Sequence, residues 1–284
     1  MLTQSKHYNR NLMNNSTPKK QTVGILGYGE IGKAMAKICE RAGYNVLIRE
    51  LDYDQIGNNK IDYLHVNIPE INPKIFIKII SQNIKELKPK LVIINSTTTT
   101  GTTRKIFKNT NIPMVHSPVI GVHPHLYESI KSTFPKIIGA IDDISLSLAK
   151  KHFKTLGLKV EIYDSAENSE TAKLLDLTYF AWNIIFCKWM SKIAEDLNLN
   201  FEQIYTKHNK IYNEGYKKLL PNVVRPILTP IKGPIGGHCT IPDVIMFDKF
   251  HKTNFTKFIL DENKKYSKEA SEKLKSSKSQ NKKA

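Results

Sequence analysis

One cysteine of the chain stands where a thiol could act as a nucleophile. Cys239 follows Gly236, Gly237 and His238, at the end of a segment that prolines interrupt four times, so the sequence predicts a loop there. Loops positioned by a scaffold often carry chemistry, and an ionised thiol attacks carbonyl carbon readily. We therefore predict that Cys239 is a catalytic nucleophile. The alternative is a buried thiol without a chemical role.

A glycine-rich turn is the second chemical feature, because it could hold phosphate groups. The pattern G-x-G-x-x-G occurs between a strand-like run and a helix-like run. In that setting its glycines permit a tight turn, the close approach of a pyrophosphate, and close packing of helix and strand. The phosphates would lie at the helix N-terminus, where free N–H groups favour an anion. The predicted cofactor-binding residues of this turn are Gly27, Tyr28, Gly29, Glu30, Ile31 and Gly32.

The choice of cofactor depends on an acid at the end of the second predicted strand. Glu50 lies about 20 residues beyond the glycines, where a carboxylate binds the ribose hydroxyls of the adenosine and repels a 2′-phosphate. The sequence therefore predicts NAD as the cofactor. The neighbouring Arg49 leaves NADP open, and a Rossmann-like domain that has lost its cofactor is a further alternative.

Three histidines, His116, His123 and His125, lie in the sequence HSPVIGVHPH. A metal site would need a further ligand and supporting hydrogen bonds, and we expect no metal. An imidazole titrates near neutral pH. We therefore predict that His116 or His123 acts as a general base.

Composition limits the kinds of partner. The formal net charge is +17, from 43 Lys and Arg against 26 Asp and Glu, but the excess is diffuse and no nucleic-acid module accompanies it. No stretch approaches the ~20 apolar residues of a membrane span, and the three cysteines are too widely spaced for a disulfide framework. We expect a cytoplasmic protein with no membrane or nucleic-acid partner.

The elements that must position these residues alternate between strands and helices. An apolar run predicts a strand over 22–26, and apolar residues at helical spacing predict a helix over 30–41. Further strands are predicted at 46–48, 63–66, 91–94, 114–115, 136–139 and 160–163, with a helix over 144–156. This alternation is typical of an α/β fold with a doubly wound parallel sheet of the Rossmann type.

The pattern changes near residue 164 to that of a mainly helical domain. One long central helix is predicted from Ser165 to Leu197, without Gly or Pro, and more helix follows over 201–220. The end of the chain is Lys-rich and poor in large apolar residues, which is typical of disorder. The predicted parts are a flexible leader (1–19), an NAD-binding Rossmann domain (20–164), a helical domain for catalysis and dimerisation (165–260) and a disordered tail (261–284).

In these motifs the chain resembles the nucleotide-sugar dehydrogenase family, which includes the UDP-glucose, GDP-mannose and UDP-N-acetylhexosamine dehydrogenases. The likeness runs from about Val23 to Asp243. The likeness rests on several separate motifs, and their order and spacing together are more specific than any one of them alone. The matches are the glycine loop, Ser96-Thr97 with Gly101-Thr102-Thr103, residues 134–139, Glu170-x-x-Lys173, and the GGHC sequence with Asp243 four residues on.

The resemblance implies an NAD-dependent oxidation of a primary alcohol to a carboxylate in two hydride transfers, on a small-molecule substrate such as a nucleotide sugar. Cys239 would form a thiohemiacetal and then a thioester. Lys173 would lower the thiol pKa and stabilise the oxyanion, Asp243 and Thr97 would position water, and Ser96 with Thr97 would line the cofactor. The long helix would form a homodimer interface.

Three features depart from the family. Pro118 is followed by Val119, where the family has a glutamate that assists thioester hydrolysis, and Leu177 replaces an asparagine four residues after the lysine. About forty residues follow the cysteine motif, where the family carries a further nucleotide-binding domain. Two alternatives therefore stay open. One is a two-electron dehydrogenase or reductase of the 6-phosphogluconate, hydroxyacid or prephenate type, and the other is a catalytically inactive nucleotide-binding homologue.

Overall fold

The computed structural model describes residues 20–237 and 239–280, with side chains as far as residue 269 and at Glu272. The predicted leader, His238 and residues 281–284 lie outside the described residues. Within the described ranges, no helix is long and apolar enough to cross a membrane.

Eight strands form one sheet in the order β3-β2-β1-β4-β5-β6-β7-β8. They are β1 (Thr22–Leu26), β2 (Asn45–Glu50), β3 (Tyr53–Asp54), β4 (Tyr63–Val66), β5 (Leu91–Ile94), β6 (Met114–His116), β7 (Lys136–Ala140) and β8 (Val160–Tyr163). The strand order reverses between β1 and β4. Doubly wound sheets bind their ligands at such a point, beside the carboxyl ends of the strands.

Helices cover both faces of the sheet and then continue beyond it. They are α1 (Glu30–Arg41), α2 (Pro73–Leu87), α3 (Thr102–Thr110), α4 (Leu126–Glu128), α5 (Asp143–Thr155), α6 (Ala166–Asp196), α7 (His208–Leu219), α8 (Thr240–Phe250) and α9 (Asn254–Gln280). Two π-helical turns, Ser129–Thr133 and Glu202–Lys207, follow α4 and precede α7. The predicted α/β fold with a Rossmann sheet and a long helix is confirmed.

The sequence predicts a parallel sheet, but two of the strand pairs in the structure are antiparallel. β7 runs antiparallel to β6, and the short β3 runs antiparallel to β2. The segment between β6 and β7 contains only α4 and a π-helical turn, so the chain returns beside β6 without a full crossover helix. A parallel pair needs such a crossover and an antiparallel pair does not.

Apolar side chains fill both sides of the sheet. Ile25 and Ile93 pack with Phe153 on the side of α1 and α5, and Val66 and Ile94 pack on the side of α2 and α3. Every residue of β4 and β5 is buried, as expected for strands covered on both faces. The strand ends near the glycine turn are therefore held rigidly.

The structure differs from the predicted disordered tail, because α9 continues to Gln280. The helix begins before the Lys-rich stretch, and its Ile259 is fully buried in a cluster with α6 and α8. Further along, Lys264 lies 3.8 Å from Asp261, and Lys265 pairs with Glu262, at helical spacing. The prediction of disorder considered only the Lys-rich residues from 261 onward. It left out the apolar residues at the start of α9, such as Ile259, which anchor the helix in the core.

Candidate active site

The glycine turn has the shape that a pyrophosphate requires. Gly27 has φ +90°, a conformation that favours glycine, and a Cβ on Gly32 would lie 2.0 Å from the carbonyl oxygen of Gly27. A Cβ on Gly29, by contrast, would meet no atom within 4 Å. The open space beside Gly29, at the N-terminus of α1, fits the diphosphate of a dinucleotide.

Glu50 ends β2 beside this turn. Its carboxylate accepts hydrogen bonds from the backbone N–H of Tyr28 at 2.6 Å and of Leu51 at 3.1 Å, and these bonds lower its pKa. Arg49 points elsewhere, because its guanidinium contacts Glu86 at 2.8 Å and Asp54 at 3.0 Å. An ionised acid is thus present where a ribose would lie, and the nearby cation is already paired. This arrangement favours NAD over NADP.

We predict that Glu50→Ala weakens NAD binding and narrows the preference for NAD over NADP. A hydrogen bond to a charged group contributes ~1.5–3 kcal/mol, so the NAD affinity should fall roughly tenfold or more. Titration calorimetry with both cofactors measures the change. Glu40→Ala, an equal loss of charge at the far end of α1, should leave both affinities unchanged. Equal affinities in the unmodified protein would contradict the assignment of Glu50.

The other residues predicted to contact the cofactor differ in orientation. Glu30 is exposed and pairs with His123 at 2.6 Å, whereas Ile31 is partly buried against the core. The hydroxyl of Ser96 donates to the carbonyl oxygen of Ile68 at 2.6 Å and is buried. Ser96 therefore fastens the loop after β4, and its side chain is not directed into the cleft.

A buried glutamate holds the threonine-rich loop that carries Thr97. Glu170 accepts hydrogen bonds from the backbone N–H groups of Gly101 at 2.6 Å and Thr103 at 2.8 Å, and from the hydroxyls of Thr98 and Thr103. Burial raises the pKa of Glu170 to about 7. Because Glu170 lies one turn before Lys173 on α6, it ties this loop to the helix that supplies the lysine. Glu170 belongs to one of the motifs that carry the family resemblance, but the hydrogen bonds that it accepts could not be predicted from the sequence.

The structure brings four of the predicted catalytic residues together. Cys239 is exposed and precedes α8, and the backbone N–H of Asp243 donates to its carbonyl oxygen at 3.0 Å. The positive charge of Lys173 on α6 favours the ionised forms of both Cys239 and Asp243, and Thr97 lies close enough to Asp243 to favour its ionised form as well. Glu30 also acts on Cys239. The thiol therefore lies near the start of α1 and the predicted cofactor site.

Two pKa shifts characterise this group of residues. Although Cys239 is exposed as a residue, partial desolvation of its thiol raises its pKa, and Asp243 adds to this effect, while Lys173 opposes it. The expected lowering by Lys173 is therefore outweighed. Burial also raises the pKa of Asp243 to about 6, and its Oδ2 atom is buried without a hydrogen-bond partner. An orphaned carboxylate oxygen beside a thiol and an ammonium is available to a substrate or a water molecule.

The predicted role of His116 as a general base is wrong. The ring is fully buried, with Nδ1 2.7 Å from the Ser169 hydroxyl and Nε2 3.1 Å from the carbonyl oxygen of Ser96. Burial lowers the pKa of His116 to about 3. It therefore remains neutral and supports the loop. His123 is exposed beside Glu30, and for this residue the role of general base stays a prediction.

A buried polar chain lies beneath the site and was missed by sequence reasoning. Lys136 donates to Asn95 Oδ1 at 3.1 Å and to the carbonyl oxygens of Ser117 and Pro118. Asn95 Nδ2 lies 3.1 Å from His65 Nδ1. Because Lys136 occupies the amide oxygen, Asn95 donates to His65. Burial lowers the pKa of Lys136 to about 7.

This series of buried, hydrogen-bonded side chains continues to three residues of types that can bind a metal, namely Cys39, His65 and His152. His65 Nε2 lies 2.9 Å from His152 Nε2, and His152 Nδ1 lies 3.2 Å from the Tyr44 hydroxyl. Every ring nitrogen is thus engaged in a hydrogen bond. The group offers three ligands where a structural zinc site takes four. We interpret it as part of the core.

The two departures from the resembled family are visible in the structure. Val119 is buried in the core on the side of α1 and α5. Leu177 is partly buried on α6, one turn beyond Lys173. Neither side chain can donate a proton or a hydrogen bond. The described site therefore holds one free carboxylate oxygen, that of Asp243, as its candidate base.

Comparison with known proteins supports this architecture. The family model for the NAD-binding domain of D-isomer specific 2-hydroxyacid dehydrogenases matches residues 2–114. UDP-N-acetyl-D-mannosamine dehydrogenase of Methanocaldococcus jannaschii is 27% identical over 173 residues, an alignment that covers 56% of this chain and 36% of that protein. The chain therefore spans about a third of that relative's length.

Two solved structures share the fold. UDP-D-ManNAc dehydrogenase from Pyrococcus horikoshii has a TM-score of 0.71 at 18% identity, covering 87% of this chain and 69% of that one. Mycobacterium tuberculosis 3-hydroxyisobutyrate dehydrogenase has a TM-score of 0.63 at 14% identity, covering 89% and 94%.

The fold, the glycine turn and these similarities define the class: the N-terminal part is an NAD-binding Rossmann domain of the dehydrogenase type. NAD is thereby confirmed as the cofactor of the domain. Within that class, the predicted resemblance to the nucleotide-sugar dehydrogenases is confirmed by a curated relative, and solved structures of such enzymes share the fold.

Proposed function

We propose that the protein is an NAD-dependent dehydrogenase that oxidises an alcohol carbon of a sugar nucleotide, with Cys239 as its nucleophile. The observation that carries the proposal is the meeting of Cys239, Lys173, Asp243 and Thr97 beside the glycine turn. These residues come from three parts of the fold, namely the loop with Thr97, the helix α6 and the start of α8, and they combine a thiol, an ammonium and a carboxylate with an unpaired oxygen.

NAD⁺ supplies a hydride acceptor, once for the alcohol and once for the aldehyde adduct, so two NAD⁺ are consumed for each carboxylate formed. The ionised thiol of Cys239 adds to the aldehyde carbon and forms a thiohemiacetal. Lys173 stabilises the negative oxygen of that adduct. After the second oxidation a thioester remains on Cys239. Asp243 and Thr97 orient the water that cleaves it, and Asp243 accepts a proton from that water.

The unpaired carboxylate suits a base that works near neutral pH. Its pKa of about 6 means that Asp243 is mostly ionised at pH 7 and can still take up a proton. Keeping this charge buried lowers stability. A raised carboxyl pKa means that the folded state holds the proton more tightly, so stability falls as pH rises from about 4 to about 6.

We predict opposite effects of Asp243→Asn on stability and on turnover. Above pH 6 the free energy of unfolding should rise by up to about 3 kcal/mol, because one pKa unit corresponds to 1.36 kcal/mol, and the gain should vanish below about pH 4. Turnover should fall, and its dependence on a group titrating near pH 6 should disappear. Urea denaturation at several pH values and pH–rate profiles measure the two effects.

Asp196→Asn, at the exposed end of α6, is the matched control and should change neither quantity. If Asp243→Asn kept the turnover of the unmodified protein, Asp243 would not be the base.

A ligand screen tests the substrate class. Sugar nucleotides such as UDP-N-acetylmannosamine, UDP-glucose and GDP-mannose are compared with 6-phosphogluconate and 3-hydroxyisobutyrate, each with NAD present. A ligand at ~100 times its Kd stabilises the fold by ~2.7 kcal/mol, which raises the melting temperature. A sugar nucleotide should give the larger shift and should produce NADH. Stabilisation and NADH formation only with a small hydroxyacid would contradict the proposal.

One observation favours a second candidate, a two-electron dehydrogenase of the hydroxyacid type. Val119 and Leu177 supply no polar group where the resembled family uses a glutamate and an asparagine for thioester chemistry. A two-electron reaction needs neither group. The two candidates differ in the number of NADH molecules formed for each substrate, which is two for a sugar-nucleotide carboxylate and one for a ketone or an aldehyde.

Two further predictions belong to this proposal, a cytoplasmic location and a homodimer formed through α6. Large apolar side chains are exposed along that helix, including Tyr179 at 58% and Trp189 at 51%. Apolar patches of this kind mark interaction surfaces. Sedimentation velocity tests the dimer, and a monomer at all protein concentrations would contradict it.

A further inference from the structure

The segment that leads to Cys239 is fastened along α6 before it reaches the cysteine. Near its start, the Tyr205 hydroxyl donates to the carbonyl oxygen of Pro226 at 3.2 Å. The Cys187 thiol of α6 then contacts the carbonyl oxygen of Leu228 at 3.4 Å. Prolines make regular secondary structure unfavourable here, so the path of the segment depends on these side chains.

The next contact comes from a buried lysine. Lys188 is 6% exposed, and its Nζ donates to the carbonyl oxygens of Ile231 and Gly233, each at 2.7 Å. The ammonium also lies 3.9 Å from the ring centroid of Tyr266 on α9. Burial lowers the pKa of Lys188, and the carboxylate of Glu269 opposes this effect. A buried ammonium is tolerated only with such partners, so both carbonyls are held in one place.

The last contact comes from α9. Asn263 Oδ1 accepts a hydrogen bond from the backbone N–H of Ile235 at 2.6 Å, and the Ile235 side chain is buried between α6, α8 and α9. Gly236 and Gly237 follow, with no atom within 4 Å of a Cβ added to either, and Gly237 has φ +87°. The glycines themselves supply no side chain to fix the loop. Its position depends on the contacts at Ile231, Gly233 and Ile235.

We propose that Lys188 and Asn263 are positioning residues that hold the loop presenting Cys239, and that α9 thereby serves the active site. Neither residue touches the reacting atoms, so both act through the backbone of residues 231–235. The proposal rests on the proposed function for the role of Cys239. The position of the thiol, however, can be measured without any substrate.

The experiment compares alkylation of the three cysteines by iodoacetamide, quantified for each peptide by mass spectrometry. Cys39 is buried in the Rossmann core, where burial raises its pKa to about 12, and it reports global unfolding. Cys187 reports the segment near Leu228, and Cys239 reports the loop. The variants are Lys188→Met, Lys188→Arg and Asn263→Ala. Lys192→Met, an exposed lysine one turn further along α6, is the matched control.

In Lys188→Met, Cys239 should react several-fold faster, because the released loop moves the thiol away from the desolvation and the Asp243 charge that raise its pKa. Cys187 should also react faster, while Cys39 should not change. Asn263→Ala should accelerate Cys239 alone. Lys188→Arg should restore much of the protection. Turnover should fall on the order of tenfold to hundredfold, because the nucleophile is displaced.

The proposal is overturned if the alkylation rate of Cys239 in Lys188→Met and in Asn263→Ala is the same as in Lys192→Met. If Lys188→Met also accelerates Cys39, the protein has unfolded and the decision rests on Asn263→Ala, which must accelerate Cys239 without Cys39. Faster alkylation in both variants, together with full activity of a Cys239→Ser variant, would leave the positioning role intact and refute the proposed nucleophile.

Discussion

Gly29→Val is expected to abolish detectable NAD binding while the protein stays folded. A Cβ at this position meets no protein atom within 4 Å, so the fold can accommodate it. The same open space is where a pyrophosphate would approach the backbone. The added side chain would exclude the diphosphate from the N–H groups at the start of α1. We expect the affinity to fall at least ~100-fold, a loss of about 3 kcal/mol.

Gly32→Ala provides the contrast, because its Cβ would lie 2.0 Å from the carbonyl oxygen of Gly27. This variant should lower the stability of the fold itself, whether or not NAD is present. Circular dichroism melting separates the two effects, and titration calorimetry measures NAD affinity. An unchanged NAD affinity in Gly29→Val would remove the glycine turn from the cofactor site.

The sheet could be predicted because its strands are short apolar runs bounded by turn residues. β1, β4, β5 and β8 begin and end at the predicted residues. α2 was not predicted, although Asn72 caps it and Pro73 begins it, which is a common start signal. The antiparallel β7 could not be predicted, since the apolar pattern of a strand does not encode its direction.

The active site was predictable only through the resemblance. Thr97, Lys173 and the pair Cys239 and Asp243 come from three distant parts of the chain, and no periodicity brings these three parts together. The electrostatic balance at the thiol also depends on burial, which the sequence could not supply. His116 was misjudged for the same reason: a histidine at the end of a three-residue strand gives no sign that its ring turns into the core.

Cys239→Ser is expected to stop the second oxidation. The hydroxyl of serine is a far weaker nucleophile than a thiolate, so formation of the carboxylate should fall by on the order of 10³-fold or more. Any remaining product should be the aldehyde, with one NADH for each substrate consumed. Cys39→Ala, which removes a buried thiol from the Rossmann core, should leave the product and its stoichiometry unchanged.

The unmodified protein should show where its slow step lies. Val119 and Leu177 provide no polar group for hydrolysis, so the thioester on Cys239 should form faster than water cleaves it. Rapid mixing with NAD and a competent alcohol should then give a burst of NADH before slower steady turnover. Intact-mass spectrometry of the quenched protein should detect the acyl group of the substrate, and Cys239→Ser should lack it. A two-electron enzyme would form NADH without any adduct, and full activity of Cys239→Ser would replace the sugar-nucleotide mechanism with that simpler reaction.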